Sequence, residues 1–438
     1  MNEMMKEAKA QWPAHYGSPE WLVHDRFGLF IHWGLYALPA RHEWVMTWEK
    51  TPPEAYKTYM KYFNPDLYDA KKWAKAAKQA GMKYVVVTTK HHEGFAMWDS
   101  ALTDYKITNT PFGRDAIAEL VEALREQDLK VGFYHSLIDW HHPDFPLDGI
   151  HPLREDEEAK AHRKSDIANY RTYLHEQVKE LLTNYGKIDY LWFDFSYPDK
   201  DWGWSTGKGK DDWGSEELER LALQLQPDLI FNNRMDLDRG VVTPEQYQPK
   251  GPATRDGVPV IWEACQTLTG SWGYDRDNLD FKSPELLVKM LIDTVSKNGN
   301  LLLNVGPNGR GEFETRALHS LSEIGEWMRL HECSIVGTGR SELAVPEDCR
   351  LTQRGSTVYV HLFSWPLKHL HMPHLEGKID YAQFLHDASE VRFKQHDPSE
   401  AHSHTDAEVD PGSVTFELPV QKPDVLVPVI EVFLKEDA

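Results

Sequence analysis

The feature that most constrains the fold of this chain is the segment 188–195, which reads IDYLWFDF. A short apolar and aromatic run of this kind is typical of a strand that is buried on both faces. The run finishes at an acid, Asp194. Burying a carboxylate at the end of a strand costs hydration free energy, so its presence there indicates that it has a function. Several other strand-like runs of the chain also end in polar or ionisable residues. We therefore predict a ring of parallel strands that delivers side chains to one rim, as in a (β/α)8 barrel.

Strand-like and amphipathic helical segments alternate along most of the chain, which indicates successive βα units. The predicted strands are 27–34, 83–92, 130–136, 188–195, 228–234, 260–266 and 300–306. The predicted helices are 65–81, 115–128, 165–185, 215–226, one that begins at Ser283-Pro284 and 313–330. Residues 235–259 are rich in Pro, Gly and Asp and show no helical period. The pattern predicts an irregular (β/α)8-like barrel over residues 1–335.

The last quarter of the chain has a different pattern. Strand-like runs alternate with polar turns, and no helical period is obvious; the runs are 356–363, 390–393, 413–418 and 425–433. We predict a C-terminal antiparallel β-sandwich over residues 336–438. The histidine-rich segment 369–374 lacks a fixed ligand spacing, so we interpret it as a solvated loop rather than a metal site.

Charge and composition exclude several classes of function. A net charge of −21 repels phosphate backbones, so no nucleic-acid partner is expected. No apolar stretch approaches the roughly 18 residues of a membrane span, and residues 1–7 lack the apolar segment of a secretory signal, so we expect a cytoplasmic protein without a membrane partner. The three cysteines have neither disulfide-framework nor zinc spacing. The sequence does not determine the oligomeric state, and a homo-oligomer is compatible with it.

The strand ends carry polar and aromatic side chains that suit a common type of ligand. They and the loops after them supply imidazole, indole, guanidinium and carboxyl groups: His32, Glu43, Trp44, His91, His92, His135, Asp194, Arg234, Glu245, Glu263 and Trp272. Imidazole and indole N–H groups suit hydroxyls, and flat aromatic rings suit the C–H faces of sugars. The chain has 16 tryptophans, which fits either a large core or sugar stacking. No GxxxxGK[ST] phosphate loop occurs, so a neutral polyhydroxylated ligand is favoured.

A sugar hydrolase needs two carboxyl groups that flank the bond to be cut. Asp194 is the best buried candidate for one of them. For the other, the chain offers Glu245 and Glu263, with Glu43 a distant third. We prefer Glu245 as the acid/base because a loop that arches over the site can reach the leaving oxygen from the side opposite the nucleophile. Glu263, which lies deeper in a strand, would then orient its neighbours by hydrogen bonds.

Over residues 20 to about 340 the chain resembles family 29 of the glycoside hydrolases, the α-L-fucosidases. The motifs that carry the resemblance occur in order: FGLFIHWG, HEW, TTKHHEGF, YHS, LWFD, TPEQY, WEAC, SWGY and LLLNVGP. The resemblance implies a barrel followed by a β-sandwich and an enzyme that acts on a fucosylated oligosaccharide or glycoconjugate. It also implies retention of anomeric configuration through a fucosyl-enzyme intermediate, without a metal or other cofactor.

The resemblance assigns roles to individual residues. Asp194 matches the nucleophile, and Glu245 aligns with the acid/base. Trp272 matches an aromatic residue near the apolar face and C6 methyl of the sugar. His135 stands where many members have Tyr, and its imidazole can donate to a hydroxyl or to the nucleophile. The residues that match those holding the fucose hydroxyls are His32, Glu43, Trp44, His91, His92 and Arg234.

Two other classes of function compete with this interpretation. In a metal-dependent hydrolase barrel, the ligands would come from His32, His91, His92, His141 and His142. Such barrels usually begin with His-x-His on the first strand, which this chain lacks, and adjacent histidines within one strand point in opposite directions. The second alternative is a non-catalytic sugar-binding protein on the same scaffold, but both candidate carboxylates are present.

Overall fold

The computed structural model describes residues 3–395, 409–410 and 412–435. Its strands are β1 Phe27–Ile31, β2 Tyr84–Lys90, β3 Lys130–Ser136, β4 Tyr190–Asp194, β5 Ile230–Phe231, β6 Thr254–Arg255, β7 Val258–Pro259, β8 Glu263–Thr267, β9 Asn300–Val305, β10 Gly339–Arg340, β11 Cys349–Arg354, β12 Thr357–Leu362, β13 His369–Met372, β14 Ile379–Phe384, β15 Phe393–Gln395, β16 Val414–Glu417 and β17 Val429–Leu434. Its α-helices are α1 Glu3–Gln11, α2 Glu20–Asp25, α3 Val45–Trp48, α4 Pro53–Tyr56, α5 Ala70–Gln79, α6 Ala116–Glu126, α7 Glu157–His162, α8 Ile167–Asn184, α9 Lys210–Trp213, α10 Ser215–Leu225, α11 Pro284–Val295 and α12 Thr315–His331. Short 3-10 helices occupy Leu35–Ala37, Lys57–Lys61, Ile107–Asn109 and Glu332–Ser334.

The first part of the chain forms a curled, seven-stranded parallel sheet with the order β5-β4-β3-β2-β1-β9-β8. Residues 241–246 lie between the two edge strands of this sheet. They form single parallel bridges to both sides, Asn232 with Val241, Val242 with Trp262 and Glu245 with Cys265. This irregular segment therefore occupies the eighth position of the barrel, and the predicted fold class is confirmed.

The barrel has two buried layers because strand side chains alternate between the faces of the sheet. An inner layer includes Phe30, Tyr134, Trp192 and Leu302. The outer layer lies between the strands and the surrounding helices. Every residue of β2 and of β4 is buried, which explains their continuous apolar sequences.

Aspartate and serine side chains begin four of the barrel helices. Asp69, Asp115, Asp166 and Ser283 each accept a hydrogen bond from a backbone N–H in the first turn of α5, α6, α8 and α11, respectively. These caps fix where each helix starts after its loop, and so they fix the spacing between strand ends and helices. The rim of the barrel is built from the loops between those points.

The C-terminal part is an antiparallel sandwich of a five-stranded sheet, β10-β11-β12-β17-β14, and a three-stranded sheet, β13-β16-β15. The two sheets share one apolar core, in which Val360 and Ile430 meet Met372 and Phe416. The expectation of a loop at 369–374 was wrong, because His369–Met372 forms strand β13 with alternating exposed and buried residues. Among the described residues, no helix is long and apolar enough to cross a membrane.

Candidate active site

Asp194 is the last residue of β4, so its carboxyl lies at the C-terminal rim of the barrel. Its Oδ1 accepts a hydrogen bond of 2.8 Å from Nη1 of Arg234, and its Oδ2 accepts one of 2.8 Å from the hydroxyl of Tyr134. The Nε2 of His92 lies 3.8 Å from the same Oδ2. Asp194 is 9% exposed, so the carboxyl is held in one orientation and is still open to the rim.

Arg234 links the two candidate catalytic carboxyls. Its Nη1 lies 2.8 Å from Asp194 Oδ1 and 2.8 Å from Glu245 Oε2, so these two oxygens can be no more than twice that distance apart. Its Nε donates to Thr243 Oγ1 at 2.9 Å, and its guanidinium lies 4.5 Å from the centre of the Trp192 ring. Burial alone lowers the pKa of Arg234, but the charges of Asp194 and Glu245 raise it above its ordinary value. One permanent cation therefore serves two carboxylates.

Glu245 belongs to the irregular segment that fills the eighth position of the barrel. The backbone N–H of Gln246 donates to the carbonyl of Cys265 at 3.0 Å, and the N–H of Cys265 donates to the carbonyl of Pro244 at 3.0 Å. Glu245 is therefore held at the edge of β8. The sequence had predicted instead that it lies in a loop arching over the site. Its side chain is 40% exposed, so it can meet both a leaving group and water.

Glu263, the alternative acid/base, lies at the opposite end of the barrel. It is the first residue of β8 and is fully buried, and its carboxyl accepts hydrogen bonds from the hydroxyls of Tyr84 and Tyr190, which begin β2 and β4. Tyr190 precedes Asp194 by four residues of one strand, which separates the two levels by roughly 13 Å. Burial raises the pKa of Glu263 to about 7. From this position Glu263 cannot protonate a leaving group beside Asp194.

Three histidines of the rim are neutral imidazoles. The Nδ1 of His32 lies 2.7 Å from Asn304 Oδ1, and the Nδ1 of His92 lies 2.7 Å from Ser136 Oγ. Burial lowers the pKa of His32 to about 3, and it lowers the pKa values of His91 and His92 well below the ordinary value. A neutral imidazole has one donor and one acceptor, which suits a sugar hydroxyl.

Glu43 lies in the loop after β1 and is completely buried. Its Oε2 accepts a hydrogen bond of 2.8 Å from the backbone N–H of Gly273, and its Oε1 lies 3.1 Å from Nδ1 of His42. Burial raises the pKa of Glu43 to about 8, although the N–H of Gly273 opposes this effect. A carboxyl that is protonated at neutral pH can both donate to and accept from a hydroxyl.

Aromatic rings complete the walls of the site. The ring of Trp44 lies 5.1 Å from that of His92 and 5.1 Å from that of Phe195. The ring of Trp272 lies 5.1 Å from that of His32. Phe195 follows Asp194 directly and has a φ of +82°, a left-handed conformation that is strained for a bulky residue. The chain thus turns sharply where the candidate nucleophile ends its strand.

His135 does not reach the site, and its predicted contact needs correction. It lies on the outer face of β3, where its Nδ1 is 2.9 Å from Thr89 Oγ1 and its ring is 5.9 Å from that of Trp98. The preceding residue, Tyr134, points inward and donates to Asp194. The reason is the alternation of side chains along a strand, which places neighbouring residues on opposite faces.

Sequence analysis missed three residues that hold the site in place. Tyr134 was part of a quoted motif, and strand alternation counted back from Ser136 could have identified it. Asn304 places its amide between His32 Nδ1 and the carbonyl of Trp272, 2.7 Å from each. It also lies in a quoted motif, but no sequence signal indicates that contact. Thr243 likewise gives no signal, since its contact with Arg234 depends on the irregular barrel segment.

The histidines do not converge as metal ligands. His91 and His92 follow the end of β2 and are not in the strand, so their rings lie together, 4.0 Å apart, instead of pointing in opposite directions as expected. His141 stacks on Tyr105 at 3.9 Å. Within residues 3–395, 409–410 and 412–435, no three His, Cys, Asp or Glu side chains are arranged to hold a metal ion.

The pairing of Asp194 with Glu245 across one arginine nitrogen indicates a class of protein. Glycoside hydrolases that retain anomeric configuration hold their two carboxyls about 5–5.5 Å apart. The bound imposed by Arg234 is compatible with that separation. A β/α barrel with this carboxyl pair at its C-terminal rim has the geometry of a retaining glycoside hydrolase.

Comparison with known proteins identifies the family. The family model described as α-L-fucosidase matches residues 2–332, and this chain belongs to that family. It is 29% identical to the plasma α-L-fucosidase of Homo sapiens over 377 residues, which cover 80% of this chain and 76% of that protein.

Two solved structures share the whole architecture. α-L-Fucosidase isoenzyme 1 from Paenibacillus thiaminolyticus superposes with a TM-score of 0.88 and 46% identity over 95% of this chain and 98% of that chain. A Bacteroides thetaiotaomicron α-L-fucosidase of glycoside hydrolase family 29, trapped as a covalent intermediate with 2-fluoro-fucosyl fluoride, superposes with a TM-score of 0.80 and 27% identity. That match covers 94% of this chain and 95% of that chain. The resemblance found in the sequence is thereby confirmed.

Proposed function

We propose that this protein removes terminal α-L-fucosyl groups from oligosaccharides or glycoconjugates with retention of configuration. Asp194 is the nucleophile and Glu245 is the acid/base. The single observation that supports these roles best is the shared Arg234 nitrogen, 2.8 Å from an oxygen of each carboxyl. The trapped covalent intermediate of the Bacteroides thetaiotaomicron relative supports the two-step course.

In the first step, an oxygen of Asp194 attacks C1 of fucose while Glu245 transfers its proton to the departing glycosidic oxygen. The aglycone leaves as an alcohol, and a fucosyl ester of Asp194 remains. In the second step, Glu245, now a carboxylate, removes a proton from water as the water attacks C1. The ester bond breaks, fucose leaves with its original configuration, and Glu245 is protonated again.

Arg234 contributes differently to the two steps. In the free enzyme its Nη1 donates a hydrogen bond to Oδ1 of Asp194 and holds the attacking carboxyl in place. When the ester forms, Asp194 loses its charge. The positive charge of the guanidinium then stabilises Glu245, which has just given up its proton. Tyr134 donates to Asp194 Oδ2, which leaves Oδ1 and Oδ2 inequivalent before attack.

The remaining rim residues hold the sugar in this proposal. Neutral His32, His91 and His92 exchange hydrogen bonds with fucose hydroxyls, as does the buried carboxyl of Glu43. Two aromatic residues, Trp44 and Trp272, offer apolar surface to the ring and to the C6 methyl. The set contains one cation, Arg234, which is already paired with carboxylates. A neutral deoxy sugar matches this balance better than an anionic one.

Covalent trapping tests the proposal directly. Incubation with 2-fluoro-fucosyl fluoride should add one fluorofucosyl group to the tryptic peptide 188–200, with fragmentation placing it on Asp194. Peptide 240–250, which contains Glu245, should stay unlabelled and serves as the internal control. The first sugar released from an aryl α-L-fucoside should be the α-anomer by NMR. A label on another carboxylate or a β-anomer would refute the assignment.

A further inference from the structure

A buried polar cluster lies behind His91, on the side of that residue away from solvent. We call it the Glu93 cluster, and it comprises Glu93, Tyr36, Tyr56 and Tyr105. All four residues are buried. Glu93 lies in the turn after β2, two residues beyond His91, and nothing in the proposed chemistry uses it.

The polar atoms of this cluster make no hydrogen bond of normal geometry within the part of the chain that the structure describes. Both carboxyl oxygens of Glu93, the hydroxyls of the three tyrosines and Nδ1 of His91 are buried without a hydrogen bond of normal geometry among the described residues. Buried polar groups nearly always have a protein or water partner, and an isolated one is costly. Six such atoms in one place form a polar cluster within the otherwise apolar layer around Tyr36, Tyr56 and Tyr105.

The residues of the cluster lie close together. A Cβ placed on Gly34 would come within 2.7 Å of both Oε1 of Glu93 and the ring of Tyr36, so glycine is required where these two meet. Burial, followed by the charge of Glu93, raises the pKa of Tyr36 and of Tyr56 well above the ordinary value. The same two causes act in the same order on Tyr105. The charge of this one carboxyl therefore acts on all three hydroxyls.

His91 connects this cluster to the reacting groups. Its Nδ1 lies 3.7 Å from Oε2 of Glu93, just beyond the range of a direct hydrogen bond, and Oε2 is the carboxylate oxygen that faces this nitrogen. Its ring stacks on Tyr134 at 5.6 Å with an interplanar angle of 10°. Tyr134 in turn donates to Asp194. The orientation of the His91 ring is thus tied to Glu93 on one side and to the nucleophile on the other.

We propose that Glu93 is a positioning residue for the sugar: its carboxyl, which faces Nδ1 of His91, fixes which nitrogen of His91 carries the proton. The hydrogen bond made at one imidazole nitrogen decides what the other nitrogen offers, and here the other nitrogen, Nε2, serves a fucose hydroxyl. This inference rests on the proposed role of His91 in binding the sugar. It assigns to Glu93 no contact with the substrate itself.

The ionisation of Glu93 gives the proposal a second observable. Burial raises the pKa of Glu93 to about 8, although backbone N–H groups of Glu93 and Leu35 oppose this effect. Below that pH the neutral carboxyl donates towards Nδ1, so Nε2 of His91 carries the proton and donates to the sugar. Above it the carboxylate accepts from Nδ1, and Nε2 becomes an acceptor. The titratable groups whose charges interact with Glu93 are His91, Tyr36, Tyr56, Tyr105, Glu43, Asp139 and Lys90.

A double-mutant cycle on the full-length enzyme tests the coupling. With an aryl α-L-fucoside, Glu93→Ala should raise KM about tenfold and change kcat less, because it disturbs binding more than bond cleavage. In a His91→Ala background, the same substitution should change kcat/KM by less than about twofold, because the residue through which Glu93 acts is gone. Glu263→Gln, which also removes a buried carboxyl, is the matched control and should leave KM unchanged.

The conservative variant separates positioning from simple packing. Glu93→Gln keeps the volume of the side chain and one hydrogen-bond donor, so its KM at pH 7 should be close to that of the wild type. Unlike glutamate, glutamine cannot titrate. In the wild type we expect KM to rise near pH 8, because Nε2 of His91 then changes from a donor to an acceptor. This rise should be absent from Glu93→Gln. This measurement also decides the matter if Glu93→Ala does not fold.

Three results would overturn the inference. One is an equal effect of Glu93→Ala with and without His91, which would make Glu93 a purely structural residue. Another is a pH profile of KM that is the same in Glu93→Gln and in wild type. The third is an unchanged KM in His91→Ala, which would remove the premise about His91. In each case the trapping of Asp194 would remain a separate test of the fucosidase mechanism.

Discussion

Each end of the barrel buries a carboxyl among aromatic rings, but the two carboxyls differ in their hydrogen-bond partners and in their access to solvent. At the C-terminal rim, Asp194 accepts from the Arg234 guanidinium and stays within reach of solvent. At the N-terminal end, Glu263 is sealed and accepts from the hydroxyls of Tyr84 and Tyr190. Both carboxyls also lie close to tyrosine hydroxyls, so the cation and the access to solvent are what differ.

This difference separates a reactive carboxyl from a structural one. A buried carboxylate is stable only if a charge or several donors compensate its lost hydration. Arg234 provides that compensation at the rim, whereas the neutral partners of Glu263 leave its pKa raised to about 7. The same chemical group is thus the proposed nucleophile at one end and a hydrogen-bonded core residue at the other. The predictions below compare the two ends by substitution.

The largest expected effect is at Asp194. Asp194→Ala should lower kcat by roughly 10⁴-fold or more because the first bond can no longer form. The variant should still fold and bind fucose, as isothermal titration can show. Glu263→Gln, measured in parallel, should keep kcat within about twofold of wild type. If Asp194→Ala retained a tenth of the wild-type rate, the comparison of the two ends would fail.

The next effect is at Glu245 and depends on the leaving group. Glu245→Ala should lower kcat/KM for natural glycosides by about 10²–10⁴-fold, the usual contribution of general acid–base catalysis. Fucosyl fluoride and nitrophenyl fucosides need little protonation, so they should retain more activity. Azide needs no base, so it should accelerate turnover and yield fucosyl azide of α configuration.

The same experiment on Glu263 is the matched control. Azide should leave Glu263→Ala unchanged because that carboxyl is sealed from the rim. Azide rescue of Glu263→Ala, with none for Glu245→Ala, would instead make the barrel-bottom glutamate the proton donor. It would require the barrel interior to open during catalysis.

A smaller effect should distinguish the two faces of one strand. Tyr134→Phe removes the donor to Asp194 Oδ2 and should lower kcat about tenfold, the loss expected for a hydrogen bond to a charged group. His135→Asn changes the neighbouring residue, whose ring lies on the outer face, and should leave kcat within about twofold. A larger loss of kcat for His135→Asn than for Tyr134→Phe would restore the contact first predicted for His135.

The sequence predicted the parts of this molecule that repeat a simple pattern. The run 130–136 was predicted with the bounds that β3 has, because its apolar residues and its flanking turns agree. Asp194 was predicted at a strand end for the same reason. Strand β5 was predicted over 228–234 but covers only Ile230–Phe231. It is short because its neighbour on one side is an irregular segment that forms only single bridges.

The parts that depend on long-range contacts could not be predicted. The sharing of Arg234 by two carboxyls requires the segment 241–246 to lie beside β8, and only the fold supplies that position. The face on which His135 lies, by contrast, follows from the alternation of side chains along β3 and could have been predicted. Strand β13 was missed because its four residues carry two exposed histidines, which resemble a polar loop.

The smallest effect on rate, and the most specific test of the barrel bottom, is the stability of Glu263→Gln. The pKa of Glu263 is raised from 4.5 to about 7 by burial, so between these values the unfolded chain has released this proton while the folded chain retains it. The stability contributed by this proton is full below pH 4.5 and is lost as the pH rises to about 7, by about 3 kcal/mol at most. Glutamine cannot titrate, and its amide can still pair with Tyr84 and Tyr190. The difference in urea-denaturation midpoint between wild type and Glu263→Gln should therefore shift against the wild type across this range. A difference that does not change with pH would mean that Glu263 titrates normally, and the two ends of the barrel would then not differ in the way that their hydrogen bonds indicate.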